Sequence, residues 1–89
     1  MKILYLPKFG KQYKKLPAKI KDLAEDKEKI FRKNRKNPFD SSLKTHRLHG
    51  KLSSFLAFSV NYEYRIIFDF ADKKKNIARF YFIGKHEIY

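Results

Sequence analysis

The sequence predicts an α+β domain: an N-terminal strand, a helical hairpin, then a three-stranded antiparallel meander, with the helices on one face of the sheet. Three observations carry this. Apolar residues recur at helical spacing between Phe9 and Phe31. After residue 55 they run together or alternate in three short segments, and turn-type residues separate those segments. The 89 residues fit one domain spanning 1–89. A chain of this size buries only roughly 60–65% of its unfolded surface, so the core must be economical.

Residues 2–6, Lys-Ile-Leu-Tyr-Leu, are short, apolar and strand-like, and Pro7 ends them. Phe9, Tyr13 and Leu16 then fall at i, i+4 and i+7, one face of a helix over 9–16 that Gly10 weakens. Pro17 suits the first turn of a second helix over 18–35. The core stripe of that helix is Ile20, Leu23, Ala24, Ile30 and Phe31. Its acids Asp22, Glu25 and Asp26 lie toward the start and its bases toward the end, as the helix dipole favours. Asn34 to Pro38 stop it. Residues 37–51 read as a polar loop with room for a helical turn around Ser41–Lys44. Strands follow at Phe55–Val60, Tyr64–Phe70 and Ile77–Ile83. Their turns are Asn61-Tyr62-Glu63 and Asp72-Lys73-Lys74-Lys75-Asn76.

Composition narrows the function. Lys and Arg number 22 against 9 Asp and Glu, a formal charge of +13. Residues 1–36 hold 13 basic and 4 acidic groups, so the excess is greatest in the N-terminal part. Such self-repulsion opposes compaction, and a polyanionic partner relieves it, which points to nucleic acid or the ribosome rather than to a merely solvated surface. Nine Phe and six Tyr exclude a disordered basic tail. The chain has no Cys, hence neither disulfides nor thiolate chemistry. No apolar run approaches the roughly 20 residues of a membrane span, and the first residues lack the pattern of a signal peptide. A cytoplasmic location is the expectation.

Strand alternation places chemistry. Tyr64, Ile66, Phe68 and Phe70 share one face, with Arg65, Ile67 and Asp69 on the other. On the last strand Ala78, Phe80 and Phe82 share a face, with Arg79, Tyr81 and Ile83 opposite. The apolar faces should pack on the helices, so Arg65, Arg79 and Tyr81 should project from the open face. An arginine there is either in a surface salt bridge, with Asp69 at hand, or an anion contact. The histidines are His46, His49 and His86. His46 and His49 would share a face only if their loop were helical, and with no further ligand cluster a metal site is disfavoured. No nucleophile elbow, phosphate-cradling glycine loop or carboxylate pair stands out. After the last strand, Ile83-Gly84-Lys85-His86-Glu87-Ile88-Tyr89 holds a base-capable ring and a phenol where a rigid sheet would support them.

Three segments, His46-Arg47-Leu48-His49-Gly50-Lys51-Leu52, Tyr64-Arg65-Ile66-Ile67-Phe68 and Ile83-Gly84-Lys85-His86-Glu87-Ile88-Tyr89, together resemble the RelE/ParE toxin superfamily of toxin–antitoxin modules. The likeness is greatest to the RelE/YoeB/YafQ mRNA interferase branch, and the element order agrees along essentially the whole chain. The resemblance implies a toxin that cuts mRNA in the ribosomal A site without a metal or other cofactor. In that chemistry the 2′-OH attacks the adjacent phosphate, leaving a 2′,3′-cyclic phosphate and a 5′-OH. It implies Arg65 as phosphate clamp, His86 as general acid, Tyr89 as the aromatic that stacks on or orients the substrate, and His46 as general base, with His49 the alternative. Arg79, Tyr81, His49, Lys51 and Lys85 complete the substrate-binding set. The implied partners are an acidic antitoxin that folds on binding, the ribosome and mRNA, with operator DNA reached only through the antitoxin complex and no membrane. The chain departs from the pattern in carrying Leu56 and Phe58 near the RelE lysine pair and Ser59 near a YafQ histidine. A carboxylate at Tyr89 would place negative charge near a phosphate. A ParE-like gyrase inhibitor and a non-catalytic basic RNA- or ribosome-binding module are the alternatives.

Overall fold

The computed structural model describes residues 1–34 and 43–85. In chain order the elements are β1 (Lys2–Tyr5), α1 (Pro7–Lys14), α2 (Ala18–Lys33), β2 (His46–Arg47), β3 (Leu56–Ser59), β4 (Tyr64–Phe70) and β5 (Ile77–Lys85), with a 3₁₀ turn at Gly50–Leu52. The strands form one sheet in the order β1-β5-β4-β3-β2. The predicted meander is its centre, β3, β4 and β5, each pair antiparallel. Two features go beyond it. The N-terminal strand lies at one edge, parallel to β5, with Ile3 beside Ala78. The segment expected to be a loop contributes a two-residue strand at the other edge, His46 beside Ala57 and Arg47 beside Leu56.

Both helices cover one face. Pro7 occupies the first turn of α1 and Pro17 the N-cap of α2, positions where a missing N–H costs nothing. α1 sends Phe9 inward, and α2 sends Ala24 and Phe31, with Tyr13, Leu16, Ile20, Leu23 and Ile30 packed around them. α2 ends at Lys33 with Asn34 as its cap. The Ser41–Lys44 turn falls largely outside the described residues. Of that segment Leu43 is described, and it is fully buried in the main core. Phe31 is the hub: its ring lies 5.1 Å from that of Phe58, 4.8 Å from Phe68, 6.0 Å from Phe70 and 5.5 Å from Phe80. These offset and edge-on pairings add to simple burial.

The second face is not bare. Leu48, Ala57 and Ile67 form a smaller buried cluster there, flanked by Leu52, Phe55 and Phe82. Phe82 was expected in the helix-facing core and Ile83 on the open face; the structure exchanges them. The register slips by one residue between Ile67 and Phe68: Ile67 pairs with Phe82, whereas Phe68 pairs with Phe80. Tyr81 is the extra residue of a β-bulge, and a bulge inverts the side-chain alternation beyond it. Ile83 therefore joins the main core. Its backbone N–H donates to Gln12 Oε1 of α1 at 2.8 Å, where β1 no longer runs alongside.

Phe31→Ala should cost about 3–5 kcal/mol, the range for deleting a buried aromatic ring. A domain of this kind has about 5–15 kcal/mol in all. Urea denaturation should therefore show the midpoint falling sharply, with the variant close to unfolding in buffer.

Candidate nucleic-acid interface

The second face is built in rows across the strands. Ser59, Arg65 and Gly84 are mutual neighbours in one row. The next holds His46, Ala57, Ile67 and Phe82. Beyond it Asp69 pairs with Arg79. Arg65 thus lies between a serine and a glycine, where small neighbours leave its long side chain room to lie along the sheet. It is half-buried. Its Nε is inaccessible to water and has no hydrogen-bond partner among the described residues. Arginine carries five donors and no acceptor, so an inward, unpaired N–H is a standing electrostatic deficit that an anion would correct.

Arg79 is differently placed. Nε and Nη2 each donate to Asp69, to Oδ1 and Oδ2, both at 2.8 Å. The Tyr81 hydroxyl also donates to Asp69 Oδ2, at 3.1 Å, and the Tyr81 ring meets Phe55 edge-on at 4.9 Å. Of the two roles open to Arg79, the salt bridge is the one it fills. The Asp69 hydrogen bonds hold its guanidinium above its ordinary pKa. The Tyr81 phenol is pushed up by burial first, then by the hydrogen bond and charge of Asp69, with Arg79 pulling the other way.

The loop between β2 and β3 explains its own motif. Leu48 and Leu52 anchor it on the smaller cluster. Between them Gly50 takes φ +70°, a conformation open to glycine at no steric cost. Lys51 and His49 are left exposed on the loop. The segment is not helical, so His46 and His49 do not share a helix face. Among the described residues no group of three His, Cys, Asp or Glu side chains could hold a metal. His46 is exposed, its Nδ1 3.2 Å from the Lys44 carbonyl oxygen. A carbonyl only accepts, so Nδ1 is the donor of this pair. Lys85 closes β5 and lies 3.8 Å from Glu63. His86 and Tyr89 lie outside the described residues. Asp69, as the anchor of Arg79 and Tyr81, was foreseen only as a salt-bridge partner.

Two helices on one face of a five-stranded mixed sheet give the chain the fold of the RelE/ParE toxins. No protein-family model matches the sequence, and no curated protein matches it. Solved structures do. The YoeB/ParE toxin from Agrobacterium tumefaciens superposes with a TM-score of 0.75 at 16% identity, over 97% of this chain and 99% of that one. YafQ in the E. coli DinJ–YafQ toxin–antitoxin complex gives 0.70 at 25% identity, over 94% and 90%. The archaeal RelE–RelB complex from Pyrococcus horikoshii OT3 gives 0.72 at 12%, over 99% and 97%. The structural neighbours are thus toxins of toxin–antitoxin modules, two of these three in complexes.

The phenols supply a pH test. Tyr5 and Tyr13 are raised by burial and by Glu28 and Glu25, whose carboxylates their hydroxyls donate to. Tyr81 is raised as well. The folded state holds these protons more tightly than the unfolded chain does. Its stability from them is complete below the ordinary tyrosine value of about 10 and is lost as pH rises through the raised values. Melting temperature should fall across that alkaline window, and Tyr5→Phe or Tyr81→Phe should flatten the fall. Asp69→Asn should lower the Tyr81 phenol in an ultraviolet absorbance titration.

Proposed function

We propose that the protein is the toxin of a toxin–antitoxin pair and a metal-independent endoribonuclease that cuts mRNA on the ribosome. The observation that carries this reading is Arg65 on the sheet face away from the helices, its Nε desolvated and without an acceptor among the described residues. Two supports stand beside it: the charge of +13 and the likeness to YafQ and RelE toxins bound to antitoxins.

In this reading a phosphate of the mRNA lies along the row of Ser59, Arg65 and Gly84. Gly84 offers no side chain to obstruct it. The guanidinium fork gives paired, charge-assisted hydrogen bonds to the phosphate oxygens, and these strengthen as charge builds up in the phosphorane. His46 lies two strands away and one row along, about 10 Å across the sheet and about 7 Å along it at ordinary strand geometry. Its Nε2 takes the proton from the 2′-OH. The oxygen so freed attacks the adjacent phosphorus, and the bond to the 5′-oxygen breaks. His86 delivers a proton to that oxygen, leaving a cyclic phosphate and a 5′-OH. Tyr89 stacks on the substrate, while Lys51, His49 and Lys85 hold the RNA backbone. Arg79 and Tyr81, tied to Asp69, act as a fixed wall and contribute the edge of a polar surface. An acidic antitoxin silences the toxin by covering this face, and a cytoplasmic setting follows from such targets.

Arg65→Ala should lower mRNA cleavage by translating ribosomes about 10²–10³-fold, the usual cost of losing one preorganised donor to a transition-state oxyanion. Arg65→Lys should recover only part, because a point charge replaces a fork. His86→Ala should abolish growth arrest on expression without the antitoxin. Mapped 5′ ends of mRNA after brief induction check all three. Arrest that survives both Arg65→Ala and His86→Ala in folded protein would refute the assignment.

A further inference from the structure

We infer that Tyr62 is a base-stacking residue that helps to hold the RNA against the Arg65 face; this rests on the ribonuclease reading above. Tyr62 sits at the tip of the β3–β4 hairpin and is 86% exposed, far more than the other large side chains left outside the core, Leu4 at 36% and Tyr5 at 49%. Tyr5, Tyr13 and Tyr81 each engage both ends: their hydroxyls reach Glu28, Glu25 and Asp69, and their rings meet Phe9 or Phe55. Among the described residues the Tyr62 ring meets no other ring and its hydroxyl no acceptor.

The turn beneath it is rigid. Asn61 Oδ1 accepts from the backbone N–H groups of Glu63 at 2.9 Å and Tyr64 at 2.8 Å. The Val60 N–H donates to the Tyr64 carbonyl at 2.9 Å. Glu63 reaches back to Lys85 on β5. An asparagine side chain closing a turn on its own backbone is a local lock, so the ring is held out from a fixed base. Tyr62 is three residues from Arg65, which limits the Cα separation to about 10 Å. A phosphate on Arg65 therefore leaves a flanking base within reach of the Tyr62 ring. A tyrosine gives such a contact a large flat area for little entropy, and stacking suits any base.

The test compares wild type with Tyr62→Ala, Tyr62→Phe and Arg65→Ala. Binding is read with a short mixed-sequence single-stranded RNA, and cutting with translating ribosomes on a reporter mRNA. The inference expects Tyr62→Ala to bind the RNA about tenfold more weakly or worse and to cut correspondingly less at limiting mRNA, with an unchanged melting temperature. Tyr62→Phe should match wild type, since the ring and not the hydroxyl is used. If Tyr62→Ala binds and cuts as wild type does while Arg65→Ala is inactive, the role of Tyr62 is refuted and the ribonuclease reading survives. Wild type that neither binds nor cuts refutes both. Loss of binding in Tyr62→Phe as well would assign the hydroxyl, and refute stacking.

Discussion

One extra residue in β5 governs both sides of the sheet. Had the pairing of Phe68 with Phe80 and Asp69 with Arg79 continued in step, Ile83 would stand beside Arg65 and Tyr81 beside Ile67. The bulge at Tyr81 moves the register on by one, so Gly84 stands beside Arg65 and Phe82 beside Ile67. On the helix side the same step sends Ile83 into the main core. On the other side it completes a second small cluster and replaces a branched side chain next to Arg65 by none. Gln12 receives the backbone N–H of Ile83; without that acceptor a strand N–H next to the core would be left unpaired, at about 1–3 kcal/mol. The packing of the core and the clearing of the site are therefore one structural event.

The acids are spent so as to separate the two strand arginines. Asp69 fills the fork of Arg79 in bidentate fashion and takes the Tyr81 hydroxyl too. A phosphate approaching Arg79 would have to displace a carboxylate already held in good geometry. Arg65 offers the opposite situation, a donor out of contact with water and lacking an acceptor among the described residues. Two arginines on one face, equal in sequence terms, thus differ in what an anion gains by meeting them. The difference rests on one carboxylate and on which row of the sheet it occupies.

Much of this was legible in the chain. The hairpin of helices followed from the stripe Ile20, Leu23, Ala24, Ile30 and Phe31, and the strand at 64–70 was placed to the residue, because amphipathic spacing reports burial directly. The last strand was legible in position but not in phase. Ala78 to Ile83 carries apolar residues at so many positions that alternation could not register one inserted residue, and only pairing with β4 decides it. β2 is too short to show any period, so Leu43 and Leu48, both buried, read as parts of a polar loop. The parallel edge of β1 depends on contact between the two ends of the chain, which local pattern does not encode. Of the candidate site, the sheet face of Arg65 was legible from strand alternation. The pairing that removes Arg79 from contention was left open, since alternation puts Asp69 and Arg79 on one face without saying which registers meet.

A protein selected only for stability would have little reason to keep Arg65 as it stands. Holding a guanidinium half out of water with an N–H that no described residue pairs opposes folding, and an apolar side chain of similar volume over Ser59 and Gly84 would extend the cluster formed by Leu48, Ala57 and Ile67. The same burial has a second consequence. Coulomb attraction grows as the surrounding dielectric falls, so a phosphate that reaches Arg65 is held more strongly than one at a fully solvated lysine. The strength is greatest where water is excluded on binding, against a sheet that cannot rearrange to solvate the charge in any other way. A position that costs the free domain stability is thereby one where an anion of higher charge gains more than one of lower charge.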